Sequence, residues 1–158
     1  MRRRRVLVCC SVVVLALTIT PAAMAQLPDT TKTPGSADRV KPERLCAAEF
    51  AAAARPVSDW QRTVALERYG IRPELFHGDL DHLVPVALGG TNDPDNLWPF
   101  HPGGTFTLDA KTALAAKLKE MVCGGSLTLK DAQSAFRKDW TKAYQRYMSS
   151  GANAGGGR

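Results

Sequence analysis

The residues able to do chemistry together lie in one short stretch: Asp81 beside His82, then Pro85, Gly89-Gly90, and Asn96 fifteen positions after the carboxylate. Neighbouring side chains of a β-strand point to opposite faces, so Asp81 and His82 can take different tasks. A carboxylate holds a hard cation through oxygen. An imidazole, whose ordinary pKa lies near neutrality, suits proton abstraction from water. Asn96, on a returning strand, is placed to hold a hairpin together and to orient the imidazole. With a helix following, the stretch reads as a metal-plus-base site.

Two other donor sets compete with it. His77, His82 and His101 could form a three-histidine zinc site, although His77 precedes the strand and His101 sits in a Pro-Gly loop. Asn92, Asp93 and Asp95 suggest Ca²⁺, but the remaining carboxylates of a calcium loop are missing. These three read better as turn residues.

The elements that must position the site follow from the hydrophobic period. Asp79 to Val86 alternates as a strand, Gly89 to Pro94 is dense in turn residues, and Leu97-Trp98 is a second short strand, so a hairpin with a wide loop is expected. Ser58 with Gln61 has the spacing of a capping box, which opens a helix over 59–69 ahead of Gly70. From Leu108 the period turns helical through Leu114, Leu118, Met121 and Val122 until Gly124-Gly125. Thr128 with Asp131 caps a third helix, whose stripe Leu129, Ala132, Phe136, Trp140, Ala143 and Tyr144 is core. The fold class is α+β: a small β-hairpin plus helix, packed with additional helices.

One domain of ordinary size uses up the 158 residues. The formal charge is +6, yet four positives are Arg2 to Arg5, and without them the excess is only +2. Charge alone therefore does not point to a nucleic-acid partner. Hydrophobic residues at 44% exclude a wholly disordered chain. Residues 1–25 read as a secretory signal: the arginines, the apolar run Val6 to Thr20, and the small-residue site Ala23-Met24-Ala25. The run falls short of the roughly 20 residues that span a bilayer, so no membrane attachment is expected once the signal is removed. Arg3-Arg4 also permits twin-arginine export. A periplasmic or secreted protein follows, and Cys46 and Cys123 should then pair as a disulfide. Residues 26–44 are expected to be a flexible leader, 45–148 the folded domain, and 149–158 a flexible tail.

This pattern resembles the HNH nuclease family, whose ββα-metal motif is a β-hairpin carrying an acid-histidine pair followed by a metal-binding helix. Asp81-His82, Pro85, Gly89-Gly90 and Asn96-Leu97 match its first two thirds. The chain is more narrowly similar to small secreted bacterial HNH-like proteins through Cys46, the string Asp93 to Pro99, Val122 to Gly125, and Asp139 to Tyr144. The resemblance implies Asp81 as a metal ligand, His82 as general base and Asn96 as the orienting residue. Where the family has a helix histidine or asparagine, this chain has Gly104 to Lys111. Thr107 falls near that position and Asp109 two residues on; Asp109 is the better ligand for a hard cation, with Thr107 or His101 as replacements. Lys111 is the implied nucleic-acid contact, a positive charge for a phosphate. The implied activity is endonucleolytic hydrolysis of DNA, with RNA also open, assisted by one divalent cation, Mg²⁺ first and Mn²⁺ or Zn²⁺ as alternatives. The alternative is a catalytically silent HNH-like binding or structural protein.

Overall fold

A computed structural model describes residues 27–50, 56–100 and 106–149. The signal expected over 1–25, all but the first residue of the expected tail, and His101 lie outside the described residues. The described chain is mixed helix and strand. Its elements are α1 (Pro42–Leu45), α2 (Asp59–Arg68), β1 (Leu80–His82), β2 (Leu97–Pro99), α3 (Leu108–Cys123) and α4 (Leu129–Met148), with short 3-10 turns between them.

The three longer helices each start where a side chain satisfies an open N–H group. Ser58 and Gln61 form a reciprocal capping box at α2. The Thr107 hydroxyl accepts from Ala110 N at α3, and the Thr128 hydroxyl accepts from Asp131 N at α4. Residues Leu114, Leu118 and Val122 of α3 repeat every four and are buried, as are Ala132, Phe136, Trp140 and Ala143 of α4. These two stripes pack on each other and on Leu83, Val84, Leu88 and Trp98 of the hairpin region. Helix α4 is interrupted at Asp139, where φ −173° and ψ 96° are extended. The Asp139 carboxylate re-caps the chain there, accepting from Thr141 N and Lys142 N.

Strands β1 and β2 pair antiparallel, with Asp81 opposite Trp98 and His82 opposite Leu97. The loop between them is drawn tight by Gly90: a β-carbon there would stand 1.8 Å from the Val84 carbonyl oxygen. Gly89, at φ +83°, supplies the left-handed turn before it. Cys46, just after α1, is bonded to Cys123 at the end of α3, as expected of the two cysteines that lie outside the signal.

The expected leader behaves differently. Residues 27–44 run across the hairpin region. Thr33 is fully buried, its hydroxyl hydrogen-bonded to Leu97 O and to the Tyr69 hydroxyl. Gly35 N donates to Asp95 O and Asp38 N to Gly89 O. A segment poor in large apolar residues is held here by backbone partners, which hydropathy does not register.

Candidate functional site

The hairpin is pinned from inside by Asn96, which has no exposed surface. Its Oδ1 accepts from Val84 N at 2.8 Å, and its Nδ2 donates to Val84 O at 3.0 Å and to Thr91 O at 2.8 Å. All of its hydrogen-bonding reach is spent on the backbone of the loop. Asn96 therefore positions the strand that carries His82 rather than touching the ring.

The ring is held by Asn92, a residue read from the sequence as part of a turn. His82 Nε2 lies 2.8 Å from Asn92 Oδ1. An amide oxygen only accepts, so Nε2 is the donor here, and in the neutral ring Nδ1 is then the nitrogen that can accept. Only the paired strands bring positions 82 and 92 together, so spacing alone held no signal for this contact.

Asp81 faces a different neighbourhood. Its Oδ2 accepts from Lys111 Nζ at 2.8 Å and from Trp98 Nε1 at 3.1 Å. The Lys111 ammonium also donates to His82 O and lies 5.4 Å from the centre of the Phe136 ring. Burial holds the Lys111 pKa below its ordinary value, and the charge and hydrogen bond of Asp81 offset this only in part. Lys111 is 3% exposed. The phosphate contact expected of Lys111 would need an outward cation, whereas this one is turned into the hairpin. The reason is helical phase: Lys111 precedes Leu114 and Ala115 by three and four residues and so lies on the buried stripe of α3.

The same phase separates the two carboxylates expected to share a metal. Successive helix residues turn by about 100°, so positions 109 and 111 face nearly opposite ways. Asp109 is exposed in the first turn. The hollow beside Asp81, of about 260 Å³, is lined from α3 by Leu108, Lys111, Thr112, Ala115, Ala116 and Lys119, with no carboxylate, histidine or asparagine among them. Thr107 lies nearer in phase to Lys111, but its hydroxyl caps the helix.

These residues do not suit the divalent ion that the resemblance implies. A divalent ion bound to the other Asp81 oxygen at about 2.1 Å would stand on the order of 5 Å from the ammonium, a repulsion of roughly 6–7 kcal/mol at an effective dielectric near 20. No group of three or more histidine, cysteine or acidic side chains able to hold a metal occurs among the described residues. Asp93 and Asp95 are engaged as turn and surface groups: Asp93 accepts from Asp95 N, and Asp95 pairs with Arg68.

Compared with known proteins, the chain matches no family model, no curated protein and no solved structure.

Proposed function

We infer that this chain is an exported, HNH-like phosphodiester hydrolase with His82 as general base, its substrate DNA with RNA also open. The observation that carries this reading is the His82–Asn92 hydrogen bond, which fixes the tautomer that leaves Nδ1 able to accept a proton. In that role Nδ1 takes a proton from water, the water oxygen forms a bond to phosphorus, and the ester P–O bond breaks. The leaving oxygen is then protonated from solvent. Lys138, Lys142 and Arg146 of α4 line one shallow groove together with Asp131 and Asp139, Lys142 being paired with Asp139, so the groove carries only a small positive excess toward a polyanionic backbone. The Cys46–Cys123 bridge suits a periplasmic or secreted location, and no described helix is long and apolar enough to cross a membrane.

A second reading, the catalytically silent binding or structural protein, is favoured by the Asp81–Lys111 pair, which withdraws the acidic half of the motif from chemistry. Nicking of supercoiled plasmid by the oxidised protein, with and without EDTA, separates the two. Cleavage that disappears in His82→Ala supports hydrolysis. Unchanged cleavage in that variant removes His82 as the base, and no cleavage from a folded protein leaves the silent reading.

A further inference from the structure

We propose that the Lys111 ammonium is the resident cation of the hairpin–helix junction, standing where the HNH-like reading would put a divalent ion, so that Asp81 binds no metal. The proposal rests on that reading of the hairpin but concerns its cation alone. Four groups from three elements enclose the ammonium and its partner carboxylate. The Asp81 carboxylate and the His82 carbonyl come from β1, the Phe136 ring comes from α4, and Trp98 of β2 shares the Asp81 oxygen from the other side. The pair is enclosed, with side-chain exposures of 4% for Lys111 and 14% for Asp81. Its charges cancel, so the junction holds no net negative charge for a cation to neutralise. The remaining charged group lining the hollow is Lys119, a further positive charge. A helix face that supplies two ammonium groups and no anionic donor is built against divalent binding.

The wild-type protein carries its own reporter. The Trp98 indole N–H lies 3.1 Å from the Asp81 oxygen, so a Mn²⁺ ion on that carboxylate would broaden its NMR signal through paramagnetic relaxation. The expected result is an indole signal that keeps its intensity as Mn²⁺ is added to the oxidised protein. Selective loss of that signal, reversed by Mg²⁺ and absent in Asp81→Asn, would overturn the proposal. Lys111→Met keeps the apolar stem and removes the charge. It should raise Mn²⁺ affinity at Asp81 by at least about tenfold, since a like charge nearby is deleted. A folded Lys111→Met protein with no gain would overturn the role given to Lys111, and the wild-type measurement decides the matter should that variant not fold. The plasmid assay reports separately on hydrolysis. EDTA-resistant cleavage that requires His82 leaves both readings standing. EDTA-sensitive cleavage with loss of the indole signal keeps the hydrolase and removes the ammonium proposal. An intact signal without cleavage does the reverse.

Discussion

Replacing Asn96 by alanine should cost about 3–5 kcal/mol of folding stability, because three buried or half-buried backbone groups lose their partner at once. The Asn96 side chain closes the loop between β1 and β2 through Val84 N, Val84 O and Thr91 O. Val84 has no exposed surface, so water cannot replace the amide there without opening the loop. An orphaned buried donor or acceptor costs about 1–3 kcal/mol, and the Thr91 carbonyl, less enclosed, lies at the low end. Against a total stability of about 5–15 kcal/mol for an ordinary domain, the loss is a large fraction. Asn96→Asp keeps the acceptor for Val84 N but turns an oxygen toward two carbonyls, so its loss should be at least as great. Urea unfolding of the oxidised protein measures both, read as a lower midpoint with an unchanged slope. A loss below about 1 kcal/mol for Asn96→Ala would refute the reasoning, since a single orphaned buried group already costs that much.

Removing the disulfide in Cys46→Ser/Cys123→Ser should lower stability by about 2–5 kcal/mol, since a loop with a sequence separation of 77 is no longer closed in the unfolded chain; the urea midpoint against that of the oxidised wild type checks it. The Asp139 carboxylate is raised by partial burial, but hydrogen bonds from Thr141 and Lys142 and the Lys142 charge outweigh this and hold its pKa below the ordinary 3.8. Because the folded value is depressed, Asp139 adds stability above the unfolded value that is lost as pH falls through the folded one. Asp139→Asn should therefore flatten the acid limb of stability against pH below about 5, which thermal melts over that range would reveal; an unchanged limb would count against the capping role.

The helices were legible because their signals are local. Ser58 with Gln61 and Thr128 with Asp131 sit at the spacing that closes a cap, and the apolar residues of α3 and α4 recur on one face. The interruption of α4 was not legible, because the stripe Phe136, Trp140 and Ala143 keeps its period across Asp139 while the backbone does not. The strap over 27–44 was missed for a related reason: its attachment uses the Thr33 hydroxyl and main-chain groups, and hydropathy weighs neither. At the candidate site, Asp81, His82 and Asn96 were singled out by their types and spacing. The partners of the first two were not, since Asn92 and Trp98 become neighbours only through strand pairing. The sequence did carry a signal for Lys111: its spacing to Leu114, Ala115 and Leu118 puts it on the core face.

The alternation of β1 has a consequence for how such a site can work. Asp81 and His82 are adjacent in sequence, but one answers to α3 and the other to the β1–β2 loop, so the surroundings of the carboxylate and of the imidazole share almost no side chains. The residues around Asp81 are Lys111 and Trp98, whereas the ring of His82 is set by Asn92. The one link between them is the His82 carbonyl, which accepts from the Lys111 ammonium. A change on the α3 face can therefore exchange one cation for another at Asp81 while the His82 tautomer stays as it is. A histidine held in place at position 82 accordingly gives no warrant for a metal site at Asp81, and the acidic half of the hairpin has to be tested by cation binding rather than by the presence of its neighbour.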